Sequence, residues 1–216
     1  MNYDAKEAQH YATALEGFTA HYRGNPPWET GAPQPPFVAA AALVRGPLLD
    51  AGCGTGNASL FFAERGLDVT GIDFVEEAIR RARAKADARG LNVEFMVRDA
   101  MTFGEWDRRF ASVVDSGLFH VYAGAPSAEK RGRYVRGLAH VLTPGGRLFL
   151  LSFTDAAAEG GVSRQELLDA FADGWDVESL ELVRGEVNPA FAAEQPDAFQ
   201  PGGPELWFAV IRRLAD

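Results

Sequence analysis

The chain has 216 residues, 47% apolar and 24% charged, enough for one globular domain with a substantial core. Its formal net charge of −9 argues against a large nucleic-acid footprint, and its single cysteine, Cys53, excludes a disulfide framework or a cysteine-based metal cluster. No apolar run is long enough to span a bilayer. The start, Met1-Asn2-Tyr3-Asp4-Ala5-Lys6, lacks the basic and apolar stretches of a signal peptide. The expectation is therefore a cytoplasmic protein, with no nucleic-acid, membrane or metal partner, working as a monomer or homodimer.

In chain order, Asp4-x-x-Glu7 has the spacing of a capping box, opening a helix from Ala5 to about Ala20. Tyr11, Ala14, Leu15 and Phe18 form its apolar stripe, which either packs over the main fold or covers a ligand site. Residues 24–36 hold five prolines and two glycines and cannot form a regular helix. Trp28 within them either plugs a hydrophobic gap or walls a site and donates its indole N–H to an anionic group. A short helix follows over Phe37–Val44, with Pro35 or Pro36 in its first turn and Gly46 ending it.

Residues 48–56, Leu-Leu-Asp-Ala-Gly-Cys-Gly-Thr-Gly, read as a strand running into a tight glycine turn, and Asn57–Ala63 reads as the helix after it. This is the opening unit of a doubly wound α/β fold, in which ligands bind beyond the carboxyl ends of the strands. The dinucleotide fingerprint is G-x-G-x-x-G, but here Asn57 stands at the position of its third glycine. Asp50 just ahead of the turn would repel a pyrophosphate and suits a cationic ligand instead. Cys53, inside the turn, is expected to be a small packed residue and not a nucleophile.

The second strand, Asp68–Asp73, ends on an acid that can accept from ribose hydroxyls, cap the following helix, or both. That helix runs to about Arg89, and Gly90 stops it. The third strand, Asn92–Arg98, leads into Asp99-Ala100, where a carboxylate and a backbone N–H in series can read an adenine; an Asx turn is the alternative. The fourth strand, Arg109–Asp115, leads into Ser116-Gly117-Leu118-Phe119-His120, which should face the same crevice as the glycine turn. His120 is thus the best placed of the four histidines to act as a base. A helix over Ser127–Leu142, with His140 late in it, breaks at Thr143-Pro144-Gly145-Gly146, and a nearly all-apolar central strand follows over Arg147–Phe153. Ser163-x-x-Glu166 is a second capping box. Two further strands, Asp176–Val183 and Glu205–Ile211, flank a Pro/Gly-rich stretch, residues 184–204, long enough to be a functional cover.

Asp50-x-Gly52-x-Gly54-x-Gly56, Asp73, Asp99, Asp115-Ser116 and Thr143–Gly146 resemble, in order and spacing, the motifs of class I S-adenosylmethionine (SAM)-dependent methyltransferases. The Pro26-Pro27-Trp28-Glu29-Thr30-Gly31-Ala32-Pro33-Gln34-Pro35 string is similar to the thiopurine methyltransferase-like branch. Asp115–His120 resembles its actinobacterial heterocyclic-toxin (hydroxyquinolone-type) members. The resemblance implies a Rossmann-like, mostly parallel seven-stranded sheet of order 3-2-1-4-5-7-6 with strand 7 antiparallel. It implies one domain over residues 1–216, with an N-terminal helical lid (1–34) on a core (35–216). It implies SAM as cofactor, S-adenosylhomocysteine as product, and methyl transfer to O, N or S of a small aromatic or heteroaromatic molecule. The cofactor-binding candidates are Trp28, Asp50, Gly52, Gly54, Asp73, Phe74, Asp99, Ala100, Asp115 and Ser116; the catalytic candidates are His120 and Asp115. Trp28, Phe119, Phe191 and Phe199 are candidate walls for the acceptor. The rivals are a non-catalytic SAM-binding protein and, disfavoured by Asp50 and Asn57, a nicotinamide-dependent oxidoreductase.

Overall fold

The computed structural model describes residues 5–24, 26–156 and 160–215. Asp4 and the side chains of Glu7, His10 and Tyr11 lie outside the described residues, and with them the first capping box. Seven strands form one sheet: β1 (Leu48–Ala51), β2 (Val69–Asp73), β3 (Glu94–Val97), β4 (Phe110–Ser116), β5 (Leu142–Phe153), β6 (Trp175–Arg184) and β7 (Glu205–Arg213). Their order is β3-β2-β1-β4-β5-β7-β6, with β7 antiparallel to both neighbours and β1 to β5 parallel. The order and the reversed strand match the resemblance.

The helices are α1 (Ala5–Tyr22), α2 (Pro35–Ala39), α3 (Asn57–Ala63), α4 (Glu76–Arg89), α5 (Ala128–Val141), α6 (Arg164–Ala170) and α7 (Pro189–Glu194). Each stop has a local cause. Gly90 takes φ 64° at the end of α4, a left-handed conformation that ends helices at little cost. Both halves of the Ser163/Glu166 box form at the start of α6: Glu166 N–H donates to Ser163 Oγ and Ser163 N–H to Glu166. Two boundaries differ from expectation. The helix expected over Phe37–Val44 ends at Ala39, and a 3-10 turn, Ala41–Leu43, follows and leads to Arg45, whose N–H donates to Ser112 Oγ of β4 at 2.9 Å. Thr143–Gly146, expected as a break, is absorbed into β5, with a register irregularity against β4 taking up the bend.

Alternation along the strands builds two cores. Leu49, Val113, Leu148, Leu150 and Ile211 face one side, with Phe103, Tyr134 and Leu138. Leu48, Val114, Phe149, Phe208 and Val210 face the other, with Phe37 and Phe62. Each fully buried Leu or Phe contributes about 1.5–3 kcal/mol relative to exposure. The parallel register also sets the site. Ala51 pairs with Ile72 and Asp115, and Asp73 with Val97, so the carboxyl ends of β1 to β4 share one edge.

Candidate active site

At that edge lies a cavity of about 670 Å³. Its floor is the glycine turn. Gly52, Gly54 and Gly56 all take positive φ, at 70°, 54° and 84°. A Cβ on Gly54 would stand 2.8 Å from the Tyr22 hydroxyl, and one on Gly56 would stand 2.8 Å from the Phe95 ring, so the turn admits no side chain at either position. Asp73 fixes it from below: Oδ2 accepts from Gly54 N–H at 3.0 Å and Oδ1 from Val75 N–H at 2.9 Å. Asp50 Oδ2 accepts from Ser59 N–H at 3.0 Å and its hydroxyl at 2.6 Å, anchoring the first turn of α3. Burial pushes Asp50 and Asp73 each up to about 6, against the pull of those hydrogen bonds. Asp99 makes the Asx-type bond to Met101 N–H at 2.9 Å and still lines the cavity. The floor is therefore rich in acceptors and negative, and it fits a ligand that brings a cation, an amine and hydroxyls. Cys53 is buried against Leu60, Ile79 and Phe95, and burial raises its thiol well above the ordinary value, so it is the packed residue expected.

Trp28, Asp50, Gly52, Gly54, Asp73, Phe74, Asp99, Ala100, Ser116 and His120 all line this one cavity. Asp115 does not. It is fully buried; Oδ2 accepts from the Tyr134 hydroxyl at 2.9 Å, and Oδ1 accepts from Leu118 N–H at 2.7 Å and Phe119 N–H at 3.2 Å. Desolvation raises it to about 7. The carboxylate ties down the turn that carries His120 and does not face the cavity, contrary to the reading of Asp115 as a bordering residue. Phe119 is likewise a core residue, packed on Phe171 at 5.5 Å between centroids. Phe191 is absent from the lining and only backs Phe199, at 6.2 Å.

The far end of the cavity is aromatic. The His120 ring meets Phe153 edge-on at 4.9 Å, and Phe153 lies nearly parallel to Phe199, at 6.2 Å and 7°. His120 Nδ1 is buried with no hydrogen-bond partner among the described residues, and burial lowers the imidazole to about 4, so it is neutral at pH 7.

Two further segments, α1 and residues 27–34, line the cavity. Phe18, His21 and Tyr22 of α1 pack around Trp28, whose N–H donates to the Tyr22 hydroxyl at 3.2 Å and not to an anionic group. Glu29 accepts from Thr55 Oγ1, from Asn57 at 2.9 Å and from Lys85 at 3.1 Å, while Lys85 also donates to Thr55 and Asn57. Asn57, notable in the sequence only as a missing glycine, is thus a latch point. Burial raises the Glu29 carboxyl, but these partners outweigh it and leave it below its ordinary value. Gln34 and Glu186 exchange bonds at 2.9 and 2.8 Å, and Asn188 bonds the carbonyls of Pro26 and Pro27, which knits residues 26–34 to the stretch after β6. The Glu29–Lys85 latch, Gln34 and Phe153 escaped the sequence reading. Among the described residues no His/Cys/Asp/Glu group could hold a metal, and no helix is long and apolar enough to cross a membrane.

Residues 48–146 match the model of a methyltransferase domain. The chain is 34% identical over 212 residues to the 2-heptyl-1-hydroxyquinolin-4(1H)-one methyltransferase of Mycobacteroides abscessus, with 90% of this chain and 88% of that protein covered. A structure solved in work on the conversion of a disulfide bond into a thioacetal group during echinomycin biosynthesis superposes with a TM-score of 0.77 at 35% identity, over 93% of each chain. The 1,6-didemethyltoxoflavin-N1-methyltransferase of Burkholderia thailandensis shares the fold, with a TM-score of 0.69 at 20% identity over 100% of this chain and 93% of that one. With the sheet order, the glycine cradle and a relative matched along nearly its whole length, the chain belongs to the class I SAM-dependent methyltransferases and is an enzyme of that kind.

Proposed function

We propose that the enzyme methylates an O, N or S atom of a small, flat heteroaromatic molecule, with the cofactor over the glycine turn and the acceptor between His120, Phe153 and Phe199. The observation that carries this reading is the far end of the cavity, where the rings of Phe153 and Phe199 lie nearly parallel beside the imidazole of His120. Such a wall recognises an aromatic by stacking, and the neutral imidazole that lines it can take up one proton. The name of the hydroxyquinolone methyltransferase supports the same class of acceptor.

The cofactor, when bound, supplies a methyl group already activated by a sulfonium. The residues have separate tasks. Asp73 accepts from the ribose hydroxyls, Asp99 and the Ala100 N–H meet the adenine, and Asp50 and Gly52 hold the amino-acid end. The negative floor favours the cation. Phe74 and Ser116 flank these groups, and Trp28 closes over them, within a cover formed by the segment through residue 34. His120 accepts the acceptor's proton where one must leave. Positioning of the two reacting atoms supplies most of the remaining rate.

Calorimetric titration with SAM and with NADH, followed by turnover on a panel of phenols, hydroxyquinolones, thiols and polar metabolites, tests the reading. Binding of SAM alone and turnover of the flat acceptors are expected. Turnover of a polar acceptor alongside failure of every aromatic one overturns it.

A further inference from the structure

Tyr134 of α5 is fully buried, with its ring packed on Phe103 at 6.1 Å and on Tyr122 at 5.3 Å. Phenylalanine has the same ring and would make the same ring contacts. What tyrosine adds is the hydroxyl, which donates to Asp115 Oδ2 at 2.9 Å. Asp115 is itself fully buried, in a core that is otherwise apolar. Burying a carboxylate is costly even when its oxygens are satisfied, and a pair of apolar side chains would avoid the cost. A pair that breaks the rule for cores is expected where function sets the requirement.

The pair holds one short turn. Asp115 Oδ1 accepts from Leu118 N–H at 2.7 Å and from Phe119 N–H at 3.2 Å. Gly117 takes φ 96°, and a Cβ there would stand 3.2 Å from His120 Cε1, so the imidazole lies against the Gly117 backbone. On its other side the turn abuts the glycine floor: a Cβ on Gly52 would stand 3.2 Å from Leu118 Cβ. The shape of this turn therefore sets where the imidazole stands relative to the cofactor end. Neither Tyr134 nor Asp115 lines the cavity. The chain of contacts runs from the Tyr134 hydroxyl to the Asp115 carboxylate, to the Leu118 and Phe119 amides, and so to His120. A misplacement of roughly 1 Å between reacting groups can cost about 10²-fold in rate.

We propose that Tyr134 is a positioning residue for His120 and acts through Asp115. Its hydroxyl keeps the carboxylate aimed at the Leu118 and Phe119 amides, and those two bonds hold the turn in the shape that presents the imidazole to the acceptor. The inference rests on the reading of His120 as the group that takes the acceptor's proton. Deleting one oxygen atom outside the cavity should then slow the turnover that needs a proton removed and leave the cofactor end alone.

The test is a double-mutant cycle on the full chain: wild type, Tyr134→Phe, His120→Ala and the double variant. Steady-state kinetics are measured at about pH 8, where the Asp115 carboxyl, raised by burial to about 7, is ionised. The two acceptors are phenol, un-ionised at that pH, and thiophenol, ionised at it. Tyr134→Phe is expected to lower kcat for phenol about ten-fold. It should leave kcat for thiophenol, and the Kd for SAM by calorimetry, within about two-fold of wild type, and cost nothing further once His120 is alanine. If Tyr134→Phe does not fold, Asp115→Asn goes through the same cycle with the same expectation, since it keeps an oxygen for the two amides and loses the charge. A loss as large without His120 as with it, an equal loss for both acceptors, or no loss at all overturns the assignment and leaves the reading of His120 standing. A His120→Ala enzyme as fast on phenol as the wild type, or no turnover of either acceptor, overturns the reading of His120, and the assignment falls with it.

Discussion

The glycine-turn end of the cavity and its aromatic end are built from different materials. At the first, the groups that face inward are backbone amides and carboxylates on strand ends, each held by a backbone or hydroxyl bond of its own: Asp73 to Gly54 and Val75, Asp50 to Ser59, Asp99 to Met101. At the second, the groups are rings, with Phe153 at the end of β5, Phe199 on a loop, and His120 on the turn after β4. The first end is specified by hydrogen bonds and charge, and the second by shape and burial. A cofactor common to many enzymes suits the rigid polar end; an acceptor that differs between enzymes suits rings on variable loops. Predictions follow from altering one end and asking whether the other responds.

The largest effect is expected from His120→Ala, which acts on the aromatic end alone. Acceptors whose pKa lies above the assay pH should slow by about 10²–10⁴-fold, while acceptors already ionised lose much less and SAM affinity holds. An equal loss across acceptors of graded pKa would leave His120 a packing residue. Because burial holds the imidazole near 4, the dependence on His120 should persist in the wild type well below pH 6.5, the range in which an exposed histidine would already be protonated.

Next comes Asp73→Asn, which acts on the polar end. Asparagine keeps one oxygen for the Gly54 or Val75 N–H but loses the charged acceptor. Affinity for SAM and for its demethylated product should fall about 10–100-fold, the value of a hydrogen bond to a charged group. Acceptor KM at saturating SAM should change little. Calorimetry on a variant shown to be folded by thermal unfolding is the measurement; unchanged affinity would remove Asp73 from the site.

A smaller effect comes from pH. Asp50 and Asp73 titrate near 6 in the folded protein, so below that value the floor takes up protons and loses its attraction for a cation. SAM affinity should weaken several-fold as pH falls from about 7 to 5, and thermal stabilisation by SAM should shrink with it. The sign for the free protein is opposite. Carboxyls that ionise near 3.9 when unfolded and near 6 when folded bind more protons in the folded state between those values, so their contribution to stability falls as pH rises through that window. His120, depressed to about 4, contributes the reverse over about pH 4 to 6.5. An affinity for SAM that is flat or rising toward acid would contradict the charged floor.

The smallest change is expected at the latch. Lys85→Ala removes three donors that hold Glu29, Thr55 and Asn57 together, but the site is partly exposed and the pair contributes at most about 1 kcal/mol. Proteolysis near Arg23 should quicken by a few-fold, and SAM should slow it in both proteins if the cover closes on the cofactor. Cleavage rates indifferent to SAM would make the cover a static pack.

The sequence by itself was sufficient for whatever local pattern determines. Strand, glycine turn and helix at residues 48–63, the stop at Gly90 and the box at Ser163 and Glu166 are each written in a few adjacent residues, and each formed. The motif resemblance carried the sheet order, and nine of the candidate site residues converge because parallel strands present their carboxyl ends on one edge, while the tenth, Trp28, reaches the cavity from the segment before α2. Side-chain direction and distant partners were decided only in three dimensions. Asp115 lies two residues from Val113, on the same face of β4, and that face meets Tyr134 of α5, so the acid turns into the core. Phe119 falls into the same core, and Phe191 stands behind Phe199 and off the main cavity, because the packing of α6 and α7 fixes where those rings can rest. Glu29, Thr55 and Lys85 are separated by 26 and 30 residues, with no periodicity to link them. Their meeting depends on residues 26–34 packing against the start of α3 and the side of α4, a long-range contact with no signature in any short stretch of chain.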